Sequence, residues 1–110
     1  MTLRQARQQF SRMVGKLLRW LDEDGQAYAI DMARRCQDCK VGHPQSLHKL
    51  GLAIDLLFYD DPDGDGDADN YRTDTAAYLR AGQFWESIGG TWGGRFRDGN
   101  HFSLSWRGMR

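Results

Sequence analysis

Apolar residues at Leu3, Ala6, Phe10, Met13, Val14, Leu17, Leu18 and Leu21 recur three or four positions apart, with Arg4, Arg7, Arg12, Lys16 and Arg19 between them. That period puts the apolar side chains on one face and the basic ones on the other, and predicts an amphipathic helix over 3–22. Thr2 followed by Gln5 has the form of a capping box, and Gly25 is the expected stop. The period then changes. Tyr28, Ile30 and Met32 alternate with smaller or polar residues, which predicts a strand over 27–33. From Arg34 to Gln45 there is no period, and Gly42 and Pro44 mark a loop with at most one helical turn. Ala53 to Tyr59 carries Ile54, Leu56, Leu57, Phe58 and Tyr59 and suits a strand covered on both faces. A second helix is expected from Thr73 or Asp74, burying Tyr78, Ala81, Trp85 and Ile88 and ending at Gly89-Gly90. Gly93-Gly94 and Gly99 predict turns, and Phe102 to Trp106 a last short strand. The sum is an α+β fold: one small domain over 1–110, with an antiparallel sheet packed by a long N-terminal helix and a second helix.

Composition changes this picture only through its unevenness. Fifteen basic residues balance fifteen acidic ones, so net charge gives no reason to expect a nucleic-acid partner. The first twenty residues nevertheless hold only basic charge, whereas Asp60 to Asp74 holds seven aspartates against one arginine. A solvated face, or an approach to an anionic surface, accounts for the first; a cation site is one reading of the second. No apolar run nears the ~20 residues needed to span a bilayer, and the arginines near the start do not suit a secretory signal. A soluble chain made in the cytoplasm, without membrane insertion and working as a monomer, is the expectation. Two cysteines, Cys36 and Cys39, are too few for a disulfide framework. With His43 they suggest a partial zinc site or a redox pair, but reduced thiols bracing a loop fit better.

The chemistry is concentrated in Ser46 to Asp55 and near His101. Asp55 interrupts an apolar strand, and an unpaired buried carboxylate is expensive, so something must compensate it. An arginine is one answer, with Arg34 and Arg35 both nearby in sequence. A metal ion is the other. Two imidazoles, His48 and His101, joined to Asp55 would suit a borderline-soft divalent ion and leave a fourth position open for water, whose pKa zinc lowers to ~7. Asp98, three residues before His101, would accept the proton of that water if the Gly99 turn folds the two side chains toward one centre.

Ser46-x-His48-x-x-Gly51-x-Ala53-x-Asp55, then Trp85 to Phe96, then Asp98-Gly99-Asn100-His101-Phe102, closely resembles the phage endolysins that are L-alanyl-D-glutamate peptidases. These endolysins fall within the wider family of zinc D-Ala-D-Ala peptidases. The resemblance covers nearly the whole chain from the first helix to Trp106. It implies a Hedgehog/D-Ala-D-Ala peptidase-like fold, zinc bound by His48, Asp55 and His101, and Asp98 as catalytic base. Many relatives carry glutamate where Asp98 stands, and the shorter arm matches the endolysin branch. The resemblance also implies an arginine upstream of the Ser-x-His element that steadies the substrate carbonyl or oxyanion, for which Arg35 is preferred over Arg34. The substrate implied is the stem peptide of bacterial peptidoglycan, cut between L-alanine and D-glutamate during host lysis. A chain made in the host cytoplasm would reach the periplasm and wall through a holin. A D-Ala-D-Ala carboxypeptidase with the same zinc centre, and a non-catalytic wall- or calcium-binding module, are the alternatives.

The acidic stretch is the second signal. Counted from Asp61, acidic residues fall at loop positions one, three, five, seven and nine, as Asp61, Asp63, Asp65, Asp67 and Asp69, with Gly66 at six. A helix-loop-helix calcium loop has this spacing, but it ends in a bidentate glutamate where Arg72 stands here, and a helix rather than a strand precedes it. Calcium binding is one reading and a solvated acidic loop the other. Some endolysins of this type respond to calcium, which favours the first by resemblance.

Overall fold

The computed structural model of the chain describes residues 1–31 and 47–109. A long helix, α1 (Leu3–Asp24), opens it and buries Ala6, Phe10, Met13, Leu17 and Leu21, the stripe marked by the apolar spacing. Its start is fixed as expected. The Thr2 hydroxyl accepts from the Gln5 amide at 3.1 Å, and the Gln5 side chain accepts from the Thr2 amide at 2.8 Å. Two amide donors that the first turn cannot pair are thereby satisfied. Thr2→Ala should therefore cost about 1 kcal/mol of unfolding free energy, read by urea denaturation. A loss below a few tenths would show that the cap contributes nothing.

Among the described residues, five strands follow the helix and pair antiparallel. β1 (Ala27–Ile30) lies along β2 (Ala53–Asp60), with Tyr28 opposite Phe58 and Ile30 opposite Leu56. The other edge of β2 is shared. Its first half pairs β5 (His101–Ser103) and its second half β3 (Asn70–Arg72), while β4 (Thr91–Trp92) closes the far side of β5. Between β3 and β4 runs α2 (Thr75–Ser87), followed after β4 by a 3-10 turn at Gly93–Phe96.

Trp85 joins the layers. Its ring is fully buried, stands edge-on to Phe10 of α1 and Phe102 of β5, and its Nε1 donates to the Ser103 carbonyl at 2.8 Å. Beside it, Tyr78 stacks on Phe58, and its hydroxyl accepts from the Phe58 amide and donates to the Arg72 carbonyl, each at 3.0 Å. Phe58 and Phe102 thus face the helices. By the two-residue alternation of strands, Asp55 and His101 point to the opposite face of the sheet.

Several expectations change. β2 is not buried on both faces: Leu56 and Phe58, on the side toward the helices, are buried, while Leu57 and Tyr59 on the other side are only partly so. The reason is that the two helices pack on one side of the sheet. The last strand spans His101–Ser103 rather than Phe102 to Trp106, because the chain leaves β2 after Leu104 donates to the Leu52 carbonyl, and Trp106 instead pairs Met109 across a tight turn. β3 and β4 are additional strands, too short to produce a period. Asp74 is the residue preceding α2, yet its carboxylate makes no cap bond, since Arg72 holds it at 2.9 and 3.0 Å and also pairs with Asp60. The expected end of the first strand beyond 31 and the loop with Arg34, Arg35, Cys36, Cys39 and Ser46 lie outside the described residues.

Candidate metal centre

Register brings the site together. Asp55 on β2 stands directly opposite His101 on β5, so both side chains emerge on the same face of the sheet. His48 arrives from a turn over 47–50 that is closed by Leu52 donating to the Leu47 carbonyl at 2.9 Å. Arg7 of α1 fastens that turn: its Nε donates to the Leu50 carbonyl at 2.6 Å, and its side chain lies against Gly51. His48 Nε2 and His101 Nδ1 each come within 3.3 Å of Asp55 Oδ1, and the imidazole centroids are 5.0 Å apart. One ligand atom from each of the three residues lies within 4.8 Å of the others.

The electrostatics need a cation. Asp55 is mostly buried, and burial, the largest influence on it, favours the neutral acid. The two imidazoles together outweigh burial and hold the carboxyl well below the usual carboxylate range. Yet the contacts are long, and Asp55 Oδ1 and His101 Nε2 are buried with no hydrogen-bond partner among the described residues. No arginine or lysine among the described residues forms an ion pair with Asp55. Charging both rings would set two imidazolium ions against each other at 5.0 Å. A divalent ion between the three side chains satisfies the carboxylate while leaving the imidazoles neutral.

Asp98 stands at the rim, with its side chain about half exposed and Oδ2 3.9 Å from His101 Nδ1. The turn that carries it is tightly built. The Asp98 amide donates to the Gly93 carbonyl at 2.8 Å and the His101 amide to the Asp98 carbonyl at 3.1 Å. A Cβ on Gly93 would lie 2.1 Å from the Asp98 carbonyl oxygen and 2.7 Å from His101 Cβ. Phe96 completes the wall, its ring 6.3 Å from that of His101. Arg35, expected at this site, lies outside the described residues.

The acidic loop is separate. Carboxylate oxygens of Asp61, Asp63 and Asp65 converge within 4.8 Å, but Asp67 and Asp69 do not join them. Asp61 accepts from the Asp65 and Gly66 amides at 3.2 and 2.8 Å, and Asp65 accepts from the Asp67 amide at 2.8 Å. The loop thus closes on its own backbone, and Arg72 turns to Asp60 and Asp74 instead of the loop centre. The calcium expectation gains no support from this arrangement.

An antiparallel sheet backed by two helices carries on its other face a His-Asp-His donor set that could hold a metal ion, with a carboxylate at the rim. Residues 40–104 match the family model described as D-alanyl-D-alanine carboxypeptidase, more than half of the chain, and the chain belongs to that family. It is a peptidase of the group that acts on peptidoglycan. The family is zinc-dependent, and the donor set fits zinc in ligand type and number. No curated protein matches the chain. Among the described residues no helix is long and apolar enough to cross a membrane.

Two contributors were not apparent from sequence. Arg7 reads as part of a solvated basic face, because its partner is 43 positions away. Gly93 reads as an ordinary turn glycine, although it is the floor on which Asp98 and His101 rest.

Proposed function

We propose that the chain is a zinc-dependent endopeptidase that cuts the peptidoglycan stem peptide between L-alanine and D-glutamate, as an endolysin does in host lysis. The observation that carries the metallopeptidase reading is the convergence of His48 Nε2 and His101 Nδ1 on Asp55 Oδ1, a buried carboxylate oxygen that lacks a hydrogen-bond partner among the described residues. These three side chains would hold zinc, which when bound supplies Lewis acidity toward the amide carbonyl and lowers the pKa of water. Asp98 takes the proton of the attacking water on its carboxylate and passes it to the amide nitrogen as the C–N bond breaks. Arg35 steadies the oxyanion. The basic face of α1 favours approach to the anionic wall, which a cytoplasmic product would reach through a holin.

Cleavage of the terminal D-Ala-D-Ala bond is the second reading, favoured by the description of the matching family. Digestion of purified peptidoglycan followed by mass spectrometry of the fragments separates the two, since one exposes a new amino terminus on D-glutamate and the other releases free D-alanine. A digest with neither product overturns both. Asp98→Ala should lower kcat by ~10²- to 10⁴-fold with zinc content unchanged, because Asp98 stands 3.9 Å from His101 and outside the donor set. Undiminished digestion by Asp98→Ala would remove Asp98 from the role of base.

A further inference from the structure

A cavity of about 160 Å³ lies beside Asp98, between the start of α2 and the turn at 97–100, and Tyr71, Thr73, Thr75, Arg97 and Asn100 share its walls with Asp98. The chemistry so far gives this space nothing to do. Its lining is rich in hydrogen-bonding groups, and Arg97, the cation among its described lining residues, is unusual in two respects. Arg97 has a left-handed backbone (φ 65°) and is the residue that closes the 3-10 turn, with its amide donating to the Gly93 carbonyl. Its side chain is exposed and forms no ion pair among the described residues, whereas Arg72, Arg80 and Arg95 are each held by a carboxylate. A guanidinium without a carboxylate partner among the described residues, in a cavity also lined by hydroxyl-bearing residues and an asparagine, has the chemistry of a carboxylate receptor.

The two bonds considered for this enzyme share one feature. In each, the residue whose nitrogen leaves also bears a free α-carboxylate on the same carbon: D-glutamate, because the stem continues through its side chain, or the terminal D-alanine. The leaving nitrogen and the carboxylate carbon are two bonds apart. Asp98, which returns the proton to that nitrogen, and Arg97 are adjacent in the chain and line the same cavity. We propose that this cavity is the subsite for the free α-carboxylate of the leaving residue, with Arg97 as the residue that selects it. The assignment rests on the peptidase reading above.

The test compares stem pentapeptides that differ by one charge. One pair carries D-glutamate or D-isoglutamine at the second position, and the other ends in D-alanine or its carboxamide. Cleavage is followed for the parent, Arg97→Gln and Arg97→Lys. In one of the two pairs the parent should favour the acid in kcat/KM by about 10- to 100-fold, the worth of a charge-assisted hydrogen bond. The pair that shows the preference identifies the source of the carboxylate. In Arg97→Gln the ratio should fall to near one, and Arg97→Lys should restore part of it. A mere displacement of Asp98 would slow acid and amide alike, so the ratio isolates the charge. Equal cleavage of acid and amide by the parent, or a ratio that survives Arg97→Gln, overturns the assignment while the peptidase reading stands. Failure of the parent to cut any of the four overturns both.

Discussion

Asp55→Ala should lose zinc affinity by roughly 100- to 1000-fold, taking one ligand's share of the ~10–16 kcal/mol typical of a protein zinc site, and hydrolysis of peptidoglycan should fall to background. The metal-free proteins behave differently. There the two imidazoles more than offset the burial of the Asp55 carboxylate, while its Oδ1 has no hydrogen-bond partner among the described residues, so removing it gives up a modest net attraction and leaves a small space. The metal-free variant should consequently melt no lower than the metal-free parent by more than a few degrees. Zinc at about 100 times its Kd should stabilise the parent by about 2.7 kcal/mol, on the order of 10 °C for a chain of this size. Asp55→Ala should show almost none of that rise. Calorimetric melts with and without zinc decide the matter: an equal zinc-induced rise in both proteins would mean that the ion binds elsewhere, and a collapse of the metal-free variant would make Asp55 a structural residue.

That test depends on a feature already visible in the sequence. A lone aspartate in Ala53-Ile54-Asp55-Leu56-Leu57-Phe58 violates the apolar pattern, and such a violation requires compensation. His48 and His101 could be attached to it because their spacing is characteristic, and the sheet explains the attachment: β2 and β5 pair in the register that sets Asp55 opposite His101. The long helix was equally legible, since its apolar period and its capping box are both local. What was not legible depends on contacts between distant segments. β3 and β4 are three and two residues long and exist because β2 and β5 offer them partners, not because Asn70-Tyr71-Arg72 or Thr91-Trp92 favours a strand. The last strand ends earlier than its pattern predicts, because Phe102, Leu104 and Trp106 alternate well with serines while the backbone gives up the ladder at Ser103. The cavity beside Asp98 belongs to the same class, as it joins β3, the start of α2 and the turn at 97–100.

Gly93→Ala should be among the most damaging single-methyl additions in the chain, because it strikes the donor set and the proposed base together. Nothing about its backbone demands glycine; the demand is for space. The added Cβ would lie 2.1 Å from the Asp98 carbonyl oxygen and 2.7 Å from His101 Cβ, inside the contact distance of both. Neither neighbour can yield cheaply. The Asp98 carbonyl accepts from the His101 amide, and His101 is fixed by β5, whose Phe102 packs on Trp85. Relief must come from the turn itself, which would open the bond from the Asp98 amide to the Gly93 carbonyl and carry Asp98 away from His101. Overpacking of this kind costs about 1–3 kcal/mol or more, and a shift of about 1 Å at the reacting groups lowers turnover by ~10²-fold. Gly15→Ala supplies the control: a Cβ there meets nothing within 4 Å, the residue lies within α1, and alanine should stabilise the protein by up to about 1 kcal/mol. Urea unfolding, zinc titration and stem-peptide turnover on the two variants should move in opposite directions for stability, with zinc affinity and turnover lost only in Gly93→Ala. Parent-like values for Gly93→Ala in all three measurements would show that the close approach of Gly93 to Asp98 and His101 does not hold the site.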